Sequence, residues 1–231
     1  MIPLFTMLRE KFEQKKEIIN VFSAYIISVL IREISSKWLK SDYSSFFMYI
    51  FLAIYVLLVL KFEKTSFISA YLEPLDLLYA STLFGLMPRY FSIMILGLTH
   101  RLVIGLPQIG ILPLLIISSI IEEMFFRAYA YNCLKKLVGY KKSYTITILL
   151  YALFHVPLAS LPNSAMVIPI YLLSGILFQE MYLKWGLASA IISHIAYNII
   201  GVLYLVEYSL SSILIISLAF ITTICLIKFL A

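Results

Sequence analysis

Charge is scarce in this sequence. Of 231 residues only 13% are Asp, Glu, Lys or Arg, against 62% apolar. So little charge excludes an ordinary soluble domain and points to an integral membrane protein. Cysteine is nearly absent: Cys133 and Cys225 are the two, and no framework spacing relates them. A disulfide scaffold and a zinc module are therefore not expected. The net charge is +6, yet its basic residues are scattered and form no dense block. That gives no case for a nucleic-acid partner. Repeats, low-complexity tracts, linkers and a soluble domain are also lacking, so residues 1–231 read as a single integral membrane domain. The segment "MIPLFTMLREKFEQKKEIIN" is too polar for a cleaved signal peptide and reads as a cytoplasmic lead-in. Familiar hydrolase signatures are missing too. There is no H-E-x-x-H, no G-x-S-x-G, and neither Glu73 nor Asp76 stands in a paired-aspartate context.

What the chain does have is long apolar runs. About 20 such residues cross a bilayer, and spans are expected near 18–36, 44–60, 68–88, 108–134, 143–159, 166–184, 187–206 and 209–228. The fold class is thus all-α, a polytopic bundle of about eight transmembrane helices. Residues 90–106, interrupted by His100 and Arg101, read as an interfacial or re-entrant piece, with a ninth span as the alternative. The loop 134–142 holds four lysines, whereas 160–165 holds no charge. The positive-inside rule then places the first loop and both termini in the cytoplasm of a multi-pass cell-membrane protein. Lys37 and Lys40, in an external loop, run against that rule. Glu180 and Lys184 read as an exposed i,i+4 pair at a cytoplasmic end.

The fourth span carries the adjacent acids Glu122 and Glu123, and then Arg127. Its twelve Ile, Leu and Phe residues favour insertion by roughly 4–7 kcal/mol. The three ionisable groups cost about 8–10 kcal/mol near mid-bilayer. Such a helix is tolerable only if those groups face protein or water and find partners. Glu123 and Arg127 are i,i+4 and share a face, so they can form an ion pair. Glu122 is rotated by about 100° and has no partner in its own helix. It is left as the carboxylate for general acid–base work.

Two of the three histidines, His155 and His194, also fall in apolar spans, and Asn198 lies one turn beyond His194. With a rise of about 1.5 Å per residue, Glu122 and His155 lie about 18 Å from the cytoplasmic end of their spans. His194 and Asn198 lie about 10 and 16 Å in. One polar layer is implied, and hydrolysis is the chemistry these groups can share. Glu122 and His155 could hold and deprotonate a water, while His194 and Asn198 donate to an oxyanion. Alternatively Glu122, His155 and His194 could ligate zinc, as two histidines and one glutamate do elsewhere.

At these residues the sequence resembles the CPBP family of intramembrane proteases, the CAAX protease and bacteriocin-processing (Abi) family. Glu122, Glu123 and Arg127 match its E-E-x-x-x-R motif. Tyr151 and His155 match F-x-x-x-H in position, and His194 and Asn198 match H-x-x-x-N. The likeness covers about 110–205, the expected catalytic core. The spans within 1–107 match only in being hydrophobic. Tyr151 stands where phenylalanine is usual, and Ala128 where glycine commonly follows the arginine.

The resemblance implies an eight-helix protein with a cavity open to cytoplasm and lipid. It implies Glu122 as base, aided by Glu123 or Arg127, with His155 on the water and His194 and Asn198 at the oxyanion. Some members cleave the last three residues from prenylated CAAX proteins; others act in bacteriocin immunity or processing. A membrane-associated protein or peptide substrate, prenylated or not, is therefore expected, with membrane lipid as surroundings. A zinc-dependent and a metal-free glutamate mechanism both stand as expectations. Two rival readings are a proton-coupled transporter, since buried Glu, His and Arg also mark ion paths, and a non-catalytic immunity or scaffold protein of the same fold.

Overall fold

The computed structural model describes residues 2–38, 41–62, 73–99, 102–103, 109–157, 165–203, 205–206 and 209–229, with side chains described from Lys15 onward outside 41–44, 60–62, 102–103, 109 and 205–206. Eight helical rods make up the described residues. They are α1 (Ile2–Trp38), α2 (Ser41–Phe62), α3 (Pro74–Leu98), a fourth rod in three parts, α6 (Tyr140–Phe154), α7 (Ile168–Trp185), α8 (Leu187–Leu203) and α9 (Leu210–Phe229). The fourth rod runs from α4 (Leu112–Glu123) through a π-helical segment, Met124–Tyr131, into α5 (Asn132–Val138). A short antiparallel bridge pairs Leu102 with Val206 and Val103 with Leu205.

Four stretches are long and apolar enough to cross a bilayer: Lys15–Trp38, Pro74–Leu98, Ala165–Trp185 and Leu210–Phe229. Ser45–Val59 and Leu187–Leu203 are shorter apolar helices. Apolar side chains cover the bundle's surface as well as fill its core. On α9, Leu210, Leu214, Leu218 and Ile221 are exposed, whereas Ser212 and Thr223 are buried. Lipid solvates that apolar face, and the interior collects the hydroxyls. This is a multi-pass membrane protein.

Two expected boundaries move. The third helix is not 68–88 with a separate piece at 90–106; α3 runs unbroken through Pro88 to Leu98. Proline removes one helix hydrogen bond, and close packing on neighbouring helices tolerates that loss within a membrane bundle. Residues 63–72, 100–101 and 104–108 lie outside the described residues. The fifth span ends at Phe154 rather than 159, so His155 caps α6, just ahead of Val156 and Pro157. Proline disfavours helical geometry in the residue before it, which stops the helix at that point.

Two glycines close the tight corners. Gly139 (φ +78°) is the single residue between α5 and α6, and Gly186 (φ +89°) the single residue between α7 and α8. Each donates its N–H to the carbonyl four residues back, Lys135 and Tyr182. Only glycine adopts that backbone without strain. The second corner folds α8 back on α7, which sets His194 against Phe178 with ring centroids 4.3 Å apart.

Small residues let α3 and α8 meet closely. Ser81 Oγ donates to Ser189 Oγ (2.8 Å), and Ser193 Oγ donates to the Ser81 carbonyl (2.8 Å). One turn along α3, a Cβ on Gly85 would overlap the Ser193 backbone. Helices packed on Ser and Gly approach until polar side chains reach across. Residue 193 adjoins His194, so this crossing fixes the height of the site.

Candidate active site

Glu122 and Glu123 are the last two residues of α4 and immediately precede the π-helix. Both are buried, at 2% and 0% exposure, and Arg127 is at 1%. A π segment widens the helix and recurs at functional positions. This one is filled by Phe125, Phe126, Tyr129 and Tyr131, all buried.

The expected ion pair is present: Arg127 Nε lies 3.1 Å from Glu123 Oε2. Arg127 Nη2 also donates to the Gly175 carbonyl (3.2 Å), and its guanidinium covers the Tyr151 ring at 4.4 Å. Glycine at 175 permits this, because a Cβ would come within 3.0 Å of that same ring. Glu123 has a second partner, His194, whose Nδ1 is 2.8 Å from Glu123 Oε1. The pair is thus a triad that orients an imidazole, and Glu123 serves as its anchor.

Glu122 makes the other set of contacts. Tyr49 donates its hydroxyl to Glu122 Oε1 (2.5 Å). His155 Nε2 is 3.2 Å from Oε2, and His194 Nε2 is 3.9 Å from the same oxygen. His155 Nδ1 sits 2.9 Å from the Tyr151 carbonyl. A carbonyl only accepts, so Nδ1 carries hydrogen and Nε2 is directed at the carboxylate. The ring stacks on Tyr171 at 4.9 Å. Glu122 borders a cavity of about 250 Å³. Asn198 borders the same cavity, and its Nδ2 donates to Ser119 Oγ (3.0 Å).

All six residues singled out from sequence therefore converge, with Glu122, His155, His194 and Asn198 on the cavity wall and Glu123 and Arg127 behind them. The zinc expectation fares differently. Ligands of a tetrahedral zinc bound at about 2.0 Å sit about 3.3 Å apart. The His155–Glu122 contact meets that, while His194 Nε2 stands off at 3.9 Å and Tyr49 engages the other carboxylate oxygen. Among the described residues no three His, Cys, Asp or Glu side chains form a group that could hold a metal ion.

The sequence reading missed four contributors. Tyr49 and Arg89 come from helices in the poorly matched first half, and Ser119 precedes the glutamates by one turn. The fourth, Arg32 on α1, donates to the Phe154 carbonyl and, at 2.9 Å, to that of Val156. These carbonyls flank His155. Only Ser119 carried a usable signal, since i,i+3 and i,i+4 spacing puts it on the glutamates' side of α4. Glu180 and Lys184 do not pair with each other. Glu180 accepts from Tyr144 (2.6 Å) and meets Lys228 (3.2 Å), and Lys184 Nζ donates to the Ile227 carbonyl (3.1 Å).

Residues 104–200 match the family model described as type II CAAX prenyl endopeptidase Rce1-like, and all three motifs fall within them. No curated protein matches the chain. Over that segment, from before α4 to near the end of α8, the chain is similar to the Rce1-like CAAX proteases.

Proposed function

We propose that this protein is an intramembrane endopeptidase that hydrolyses a peptide bond near the C-terminus of a membrane-associated protein, a prenylated one included. The observation that carries this reading is Glu122 Oε2, a buried carboxylate oxygen 3.2 Å from His155 Nε2 and 3.9 Å from His194 Nε2, on a residue that lines a cavity with both imidazoles.

The chemistry follows from the contacts. A water between Glu122 Oε2 and His155 Nε2 gives a proton to the carboxylate as its oxygen attacks the scissile carbonyl carbon. The Tyr49 hydrogen bond fixes Oε1, so Oε2 is the oxygen that takes the proton. Negative charge then develops on the former carbonyl oxygen. Asn198 has a second amide hydrogen beyond the one given to Ser119, and a protonated His194 Nε2 adds another donor. Donors fixed in a dry site stabilise such an oxyanion strongly. The carbon–nitrogen bond breaks as protonated Glu122 returns its proton to the leaving amine, which yields one carboxylic acid and one amine. Glu123 and Arg127 hold His194 in place throughout.

The test is cleavage of farnesylated and plain CAAX peptides by purified protein in detergent. Glu122→Gln keeps the volume and the Tyr49 contact but cannot accept the proton, so turnover is expected to fall by about 10²–10⁴ or more. Undiminished turnover would sink the assignment.

A further inference from the structure

Arg89 is a charged cavity residue that the mechanism leaves unused. It lies on α3, one turn beyond Gly85, where α3 presses on Ser193 of α8. Its guanidinium carbon sits 4.1 Å over the Tyr197 ring. Gly201, one turn past Tyr197, leaves room for it, since a Cβ there would come within 2.8 Å of Nη2. Arg89 lines the same cavity as Glu122, His155 and Asn198. Its Nε is buried and has no hydrogen-bond partner among the described residues. None of the ion pairs among those residues includes it.

A guanidinium with no counter-ion among the described residues of a membrane bundle is costly there, and intramembrane charges of this kind mark ligand paths. An aromatic face beneath it and a glycine beside it hold the fork in one place. A planar fork of N–H donors fits a carboxylate bidentately, which an ammonium does not. The cavity of about 250 Å³ falls below the range of roughly 300–1,000 Å³ usual for ligand pockets. It suits a chain end better than a segment passing through.

We infer that Arg89 is the anchor for the C-terminal carboxylate of the peptide substrate, holding the chain end in the cavity so that a nearby peptide bond meets Glu122. This rests on the protease reading and adds to it a reason for cleavage near a free C-terminus. Arg89 thereby acts as a specificity-determining residue and takes no part in proton transfer.

The experiment compares binding of one farnesylated peptide ending in Cys-Ala-Ala-Leu as free acid and as C-terminal amide. The host is the Glu122→Gln protein in detergent, which binds without turnover. Charged hydrogen bonds contribute about 1.5–3 kcal/mol, so the acid should bind about tenfold or more tightly than the amide. Adding Arg89→Gln should erase that preference, and Arg89→Lys should retain part of it. The acid-to-amide ratio is read within each variant, so a lower folded fraction does not alter it. A third peptide, amidated but ending in glutamate, should bind like the amide. The anchor is overturned by equal binding of acid and amide, by a preference that survives Arg89→Gln, by equal binding of the glutamate peptide, or by no binding of any. Wild-type cleavage of the acid separates the two ideas. Cleavage with no acid preference removes the anchor alone; acid preference without any cleavage removes the protease reading alone.

Discussion

At the scale of single residues, the two adjacent glutamates have different partners, and substitution should tell their proposed roles apart. Glu123 lies between Arg127 and His194, fully buried. Glu123→Gln leaves a buried guanidinium without its counter-ion, and breaking such a pair costs about 3–5 kcal/mol. A clear drop in thermal stability is expected, with activity lost as a consequence. Glu122→Gln removes no fixed salt bridge to an arginine. Its melting temperature should stay near that of the wild type while turnover disappears, and equal destabilisation of the two variants would contradict the division. Tyr49→Phe removes the donor that fixes Glu122 Oε1. A hydrogen bond to a charged group contributes about 1.5–3 kcal/mol, so kcat should fall by on the order of tenfold or more with KM little changed. A KM rise at constant kcat would instead assign Tyr49 to substrate binding.

At the scale of elements, the site is built at ends and interruptions of helices, and this decides what sequence could reveal. Glu122, Glu123 and Arg127 were legible because three charges in an apolar run need partners, and i,i+4 spacing paired two of them. His194 and Asn198 were legible for the same reason. The π-helix was not, because the distinction between i→i+4 and i→i+5 bonding leaves no mark on apolar periodicity. The end of α6 was overrun by several residues because "ALFHVPLASL" stays apolar beyond its last turn. Tyr49 is one aromatic in "FFMYIFLAIY", and nothing local separates it from its neighbours. Arg32 shows the cost of reading helices singly: besides its neighbour Glu33, its partners are carbonyls more than a hundred residues away. Arg32→Met should loosen the turn that carries His155. Two charged hydrogen bonds are lost, so destabilisation of about 3 kcal/mol or more is expected in a thermal-unfolding assay. Arg32→Lys can restore one of them and should recover part of both stability and kcat. If Arg32→Met retained full stability and turnover, the carbonyl contacts would carry no weight in placing His155.

At the scale of the whole molecule, the contacts gather Lys136, Lys184 and Lys228 at one end of the bundle. Glu17 meets Lys136 (3.5 Å), which joins the start of the first apolar stretch to the lysine-rich turn before α6. Tyr144 on α6 reaches Glu180, Glu180 meets Lys228, and Lys184 caps the carbonyl of Ile227. Four chain segments that the positive-inside rule assigned to the cytoplasm thus touch through side chains, although charge counting knows nothing of packing. By that rule the expected orientation has the lysine end and both termini inside, and the turn after His155 outside. Site-directed labelling tests this in intact cells. The background replaces Cys133 and the exposed Cys225 with alanine. Single cysteines are then placed by Lys141→Cys at the lysine end and Asn163→Cys in the opposite loop. A membrane-impermeant maleimide should label the Asn163→Cys protein directly and the Lys141→Cys protein only after permeabilisation. The reverse pattern would invert the molecule, and a substrate chain end would then enter the Glu122 cavity from the other face of the membrane.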